Sequence, residues 1–273
     1  MKTELVQYTV QEIINGFVYN EYEGKGLFGL SGKLTIQPEY QRNYIYASRN
    51  LDVAVIDSML KSYPLGLIYF NKIDEDEFEV LDGQQRITSI GRFVTGKFAI
   101  TDANNNKNYF SGLSSDQQNL ILKTKLLVYE CEGTESEIKE WFKTINIAGE
   151  PLNQQEIMNA VYSGPFVTRA KEKFSNNGNG NVQKWNAYLK GNVDRQDYLQ
   201  TALKWVSRGD IDGYMSNHRF DTDINELKTY FNTVIDWAGS IFLTIEKEMR
   251  GLEWGRLYEQ YHNNSYNPTT IND

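Results

Sequence analysis

The sequence predicts an α+β protein: a small mixed sheet with helices packed on it, followed by a mostly helical region. Three observations point there. Two apolar, aromatic-rich runs, Leu65 to Ile73 and Phe78 to Leu81, flank the acidic turn Asp74-Glu75-Asp76-Glu77, as paired strands do. Asp82-Gly83 then breaks the second run, and Ile87, Ile90 and Val94 recur on one helical face until Gly96 ends it. From Val182 onward the apolar residues keep helical spacing almost without interruption. The predicted organisation is an α/β domain over 1–132, a helical domain packed on it over 133–262, and a linker over 263–273.

Composition limits what such a fold does. Hydrophobic residues at 40% and charged residues at 23% describe an ordinary globular chain. The net charge of -8 argues against holding DNA mainly by neutralising phosphates, although a local basic groove survives a negative total. One cysteine, Cys131, and two histidines, His218 and His262, leave no material for a disulfide framework, a zinc hydrolase or a cysteine protease. No basic leader precedes an apolar run, and no stretch is long enough to span a bilayer, so the expectation is a cytoplasmic protein without a membrane partner.

In chain order, Val10 to Val18 is predicted to be a helix, with Ile13, Ile14 and Phe17 on one face. The glycine-rich stretch Glu23 to Lys33 ends in Gly32-Lys33. Leu34 follows where a Walker loop needs Ser or Thr, and no glycine holds the required offset, so a connection or hairpin is expected. Leu34-Thr35-Ile36 runs to Pro38 and the polar, aromatic cluster Tyr40-Gln41-Arg42. A helix capped by Ser48 or Asn50 extends to about Ser62, and Pro64 stops it. The four acidic residues of the turn diverge into water and are read as solvated.

Leu126 to Glu130 is a short buried strand. Thr134 with Glu137 forms a capping box before Ile138, Trp141, Phe142 and Ile145, and Asn153 with Glu156 repeats it one helix later. Pro165 to Phe174 is helical and Ser175 to Asn181 a loop. Trp185, Tyr188, Tyr198 and Trp205 read as core faces and not as a platform for bases. Asp223 with Glu226 is expected to cap a long helix from Ile224 to Ile245, and Trp254 to Tyr261 extends the pattern.

The chemistry concentrates at Asp82-Gly83-Gln84-Gln85-Arg86. A strand-to-helix turn is expected to aim the backbone N–H groups of Gly83, Gln84, Gln85 and Arg86 at one spot, together with the positive end of the helix dipole. Arg86 adds a permanently charged fork for phosphate oxygens, and both glutamines donate and accept. Asp82 caps the helix, holds Arg86, or binds a divalent ion carried by a nucleotide. On the residues alone, an anion site and a plain N-cap both stay open.

Ile36-Gln37-Pro38-Glu39-Tyr40-Gln41-Arg42 and Asp82 to Thr88, with Trp141 to Leu152 and Gln155 to Ala160, resemble the amino-terminal domain of GmrSD-type modification-dependent restriction proteins. That family carries a DGQQR motif and is related to the ParB and sulfiredoxin-like fold. The resemblance spans about residues 8–210. It implies a domain that binds or hydrolyses a nucleoside triphosphate with Mg2+ and senses foreign or modified DNA. By motif, Arg42 and Arg86 face phosphates, Asp82 orders the loop or a metal, and Tyr40, Gln41, Gly83, Gln84, Gln85 and Thr88 line the pocket. Asn146 and Asn159 are supporting polar groups, and Asp82 or Glu156 is the carboxylate that orients water. Family members commonly continue into an HNH nuclease, so a fused or separate nuclease domain is an expected partner; a homodimer through the long carboxyl-terminal helix is a separate expectation.

The competing reading is a non-hydrolytic module that recognises modified or foreign DNA. The same anion site would then hold a DNA phosphate, with Arg49, Lys61, Arg92 or Lys97 making sequence-independent contacts.

Overall fold

The first strand is hidden by its polar composition: β1, Lys2–Thr9, lies at a sheet edge and pairs along its whole length with a strand much later in the chain. Exposed Lys2 and Glu4 suit an edge, where charge discourages pairing with other chains. Thr9 then caps α1, Val10–Ile14, accepting the Glu12 N–H while Glu12 accepts the Thr9 N–H. The helix is shorter than Val10 to Val18 because Asn15 already has extended geometry.

The computed structural model describes residues 1–18, 28–37, 44–102, 105–145, 153–176, 178–242 and 244–263. The chain divides into two compact units, Met1–Glu21 with Lys25–Leu152, and Tyr22–Gly24 with Asn153–Asp273.

In the first unit β2, Phe28–Gly29, and β3, Leu34–Thr35, precede α2, Leu51–Leu60. β4, Ile68–Asp74, and β5, Glu77–Asp82, lead into α3, Gln84–Val94. A two-stranded ribbon, β6 at Ile100–Thr101 and β7 at Lys107–Asn108, is followed by α4, Ser115–Lys123, then β8, Lys125–Glu132, and α5, Glu135–Ile145. The six-stranded sheet has the order β1-β8-β4-β5-β3-β2. It is mixed, since β8 with β4 and β5 with β3 run parallel and the other pairs antiparallel. The predicted α+β class is therefore the observed one.

Helices α1 to α4 share one core with the sheet. Ile87, Ile90 and Phe93 of α3 meet Val55, Ile56 and Met59 of α2 over Ile68, Phe70, Val80 and Val128. The spacing of those α3 residues is the helical period read from the sequence, and Gly96 at φ +73° follows the helix end as expected. On the opposite sheet face, Trp141 of α5 packs edge-on against Tyr69.

The second unit is helical: α6 (Gln154–Val161), α7 (Pro165–Phe174), α8 (Asn181–Trp185), α9 (Asp197–Val206), α10 (Ile211–His218), α11 (Asn225–Ile241) and α12 (Trp254–Tyr261). Phe174, Trp185, Trp205 and Phe231 pack together in its core through stacked and T-shaped contacts, so the aromatics read as core are core. Asp223 does not cap α11. Its carboxylate accepts the Asn225 N–H two residues on, and the N-cap position falls to Ile224, which has no side-chain acceptor. Among the described residues no helix is long and apolar enough to cross a membrane.

Candidate functional site

One extra residue decides which way Asp82 points. Asn71 opposes Glu79 and Phe70 opposes Val80, but Tyr69 then opposes Asp82, so Leu81 is bulged out of register. A regular ladder would set Asp82 opposite Ile68, in the core. The bulge moves the carboxylate to the face that carries Tyr69, and Leu81 is buried instead.

From that face Asp82 clamps Arg86. The Arg86 Nη2 donates to Asp82 Oδ2 at 2.8 Å, and Nη1 donates to the Leu65 carbonyl at 2.5 Å. Two bonds engage part of a guanidinium that carries five N–H donors, so a fixed cation keeps donors for a ligand. Gly83 occupies the N-cap of α3 at φ +99° and supplies no side-chain acceptor, which disposes of Asp82 as the cap. A Cβ at Gly83 would lie 2.9 Å from Ile68, and one at Gly66, φ +77°, would lie 3.0 Å from Arg86 Nη1. The helix ladder begins with Ile87 N–H donating to Gly83 O, so the amides of Gln84, Gln85 and Arg86 stand ahead of it.

The two glutamine side chains point inward. Gln84 and Gln85 are 3% and 6% exposed; Gln85 Nε2 donates to Gln84 Oε1, and Gln85 Oε1 accepts the Ile45 N–H. Four residues along α3, Ser89 bonds the Tyr44 hydroxyl at 2.8 Å, and Arg92 lies 4.6 Å over the Tyr44 ring. Gln85, Ser89 and Arg92 recur at helical spacing and together seat Tyr44-Ile45 on α3. Arg92, expected at a DNA-facing surface, is buried, whereas Lys61 and Lys97 are exposed. Thr88 is fully buried, and its hydroxyl has no hydrogen-bond partner among the described residues.

Tyr40, Gln41, Arg42 and Asn146 lie outside the described residues. Glu156 and Asn159 belong to the second unit and are fully buried there. Glu156 accepts from Arg195 Nε at 3.2 Å and Nη2 at 3.3 Å, and from the Asn153 N–H as the second half of a capping box. Asn159 donates to Gln196 and accepts from Gln155.

Three residues on the Asp82 face were not among the predicted site residues. Tyr69 and Tyr129 sit opposite each other in the parallel β4–β8 pair, their rings 5.5 Å apart and 13° from parallel. Trp141 stands edge-on to Tyr69 at 5.0 Å. All three are half-buried. Burial, then the Asp82 carboxylate, pushes the Tyr69 phenol up. The helical spacing of Trp141 was legible, but nothing local marks Tyr69 and Tyr129 as neighbours. Cys131, farther along the same strand, is buried, which pushes its thiol up to about 11 and removes it as a nucleophile at neutral pH.

A family model described as the N-terminal domain of the GmrSD restriction endonuclease matches residues 25–163, slightly more than half of the chain. No curated protein and no solved structure matches. The chain belongs to the GmrSD restriction endonuclease N-terminal domain family.

Proposed function

We propose that this chain is the nucleotide-binding sensor domain of a DNA restriction endonuclease, with the phosphates of a nucleoside triphosphate held at Gly83 and Arg86, beside Asp82. The observation that carries the reading is the double clamp on Arg86 by Asp82 and the Leu65 carbonyl, beside a glycine-capped helix start. A cation already fixed loses little freedom on meeting an anion, and the helix dipole adds to it. The Arg86 backbone amide, ahead of the α3 ladder, adds a donor beside the guanidinium, while the buried side chains of Gln84 and Gln85 hold the surrounding fold.

Mg2+ entering with the nucleotide would spread phosphate charge, and one half-exposed carboxylate beside the phosphates is a common way to hold it. Asp82 fits that description. For hydrolysis Asp82 is also the stronger candidate to orient water, since Glu156 is closed off by Arg195. Membership in a restriction endonuclease family supports a role in restriction and defence. The net charge of -8 favours the nucleotide over a DNA phosphate as the bound anion.

The test is thermal shift and phosphate release with each nucleoside triphosphate and magnesium, for the wild type and Arg86→Ala. Nucleotide-dependent stabilisation that disappears in Arg86→Ala is the expected result. Absence of binding to every nucleotide, or equal binding by the variant, sinks the proposal.

A further inference from the structure

We infer that Tyr69, Tyr129 and Trp141 form the base-binding half of this site, receiving the planar base of the nucleotide whose phosphates lie at Arg86. The inference rests on the phosphate reading above and extends it to a part of the molecule that the motif does not reach.

Register places the two halves side by side. Asp82 on β5, Tyr69 on β4 and Tyr129 on β8 are directly opposed across three neighbouring strands, so their side chains share one face. Two strand spacings, about 10 Å in all, separate the anion end of this row from its aromatic end. That is comparable with the reach from phosphates to base in an extended nucleotide. The Leu81 bulge is what makes the row continuous, since without it the carboxylate would lie on the other face.

The aromatic end differs from the aromatic core. Phe70 on the opposite face and Trp185 and Trp205 in the second unit are at most 4% exposed, whereas Tyr69, Tyr129 and Trp141 are half-buried beside a charged pair. The tyrosine rings lie nearly parallel and the indole is T-shaped to Tyr69, so a flat heterocycle would stack on the outer side of the cluster and not between its rings, and every base has a face to do so. Stacking alone selects a base without specifying which one. If the cluster serves only to seat α5 on the sheet, a base adds nothing to phosphate binding.

The experiment compares magnesium tripolyphosphate with the nucleoside triphosphates by calorimetric titration of the full chain, alongside tryptophan fluorescence. At least one nucleoside triphosphate is expected to bind about tenfold or more tightly than tripolyphosphate. Tyr129→Ala should bring the nucleotide toward the tripolyphosphate affinity while leaving tripolyphosphate unchanged. Nucleotide, but not tripolyphosphate, should alter a fluorescence component that Trp141→Phe lacks. Equal wild-type affinities for tripolyphosphate and all nucleotides overturn the base site and leave the phosphate site standing. Binding of neither overturns both, and this wild-type comparison decides even if a variant fails to fold. A short single-stranded oligonucleotide that quenches Trp141 where no mononucleotide does overturns the inference in favour of a base in DNA.

Discussion

Gln85 Oε1 accepts the backbone N–H of Ile45 at 2.9 Å, so the helix that carries the DGQQR motif also holds the chain three residues beyond Arg42. Gln85 thus joins two parts of the fold that are far apart in sequence. Gln85→Ala withdraws the acceptor from a buried N–H and is expected to lower the unfolding free energy by about 1–2 kcal/mol. Urea denaturation measures this directly; an unchanged midpoint would show that the bond carries no weight.

The bulge predicts an asymmetry between deleting and trimming Leu81. Leu81→Ala keeps the extra residue and leaves a cavity, at a cost of about 2–4 kcal/mol, with the Asp82–Arg86 pair intact. Deletion of Leu81 restores a regular register and drives the Asp82 carboxylate toward Ile68, which is expected to be the more damaging change. Equal urea midpoints for the two variants would refute this account of the bulge.

Gly66→Ala adds a methyl 3.0 Å from Arg86 Nη1 at a residue with φ +77°. Backbone strain of about 1–2 kcal/mol is expected, together with weaker phosphate binding because Arg86 is displaced. Gly96→Ala is the control: φ is +73° and nothing lies within 4 Å of the added methyl, so it should share the strain and spare the binding. Calorimetric unfolding with tripolyphosphate titration separates the two effects.

Glu156 and Asp82 should respond in opposite ways to neutralisation. Glu156→Gln removes the charge that Arg195 meets at a fully buried position and is expected to cost stability toward the lower end of roughly 3–5 kcal/mol, since Arg195 keeps some exposure. Asp82→Asn breaks a half-exposed pair, should cost less than about 1 kcal/mol, and should act mainly on ligand binding. Unfolding curves and nucleotide titrations of both variants check the contrast. A Glu156→Gln protein of native stability that fails to hydrolyse nucleotide would return Glu156 to the chemistry.

Acid should release the amino terminus from α5. The N-terminal ammonium, with the backbone and side chain of Thr134, holds the Glu137 carboxyl at about 2 against an ordinary 4.5. A carboxyl lowered by folding stabilises the fold above its unfolded value, and the contribution fades as pH falls from about 4.5 through about 2. An NMR titration of Glu137 should therefore show a depressed midpoint that amino-terminal acetylation raises. A midpoint near 4.5 in the unmodified chain would contradict the pairing.

Local signals were readable where partners lie a few residues apart. The capping boxes of Thr134 with Glu137 and Asn153 with Glu156 link positions three apart, and α3 announced itself by Ile87, Ile90 and its glycine end. Even a local signal failed where two neighbours competed, as when Asp223 bonded Asn225 and left the cap to Ile224. β1 was missed because its partner is β8 and most of its side chains face solvent, so its residues carry little apolar pattern.

By itself the sequence determined the α+β class, with its mostly helical region after the sheet, and the motif whose chemistry suits an anion, because period, caps and residue type are properties of short segments. Only the tertiary structure decided that Asp82 clamps Arg86 instead of capping α3, that Gln85 anchors Ile45, and that Tyr69 and Tyr129 lie in line with the carboxylate. The physical reason is the two-residue period of a strand. Which face a side chain occupies depends on register with distant strands, and a single bulged residue at Leu81 reverses it.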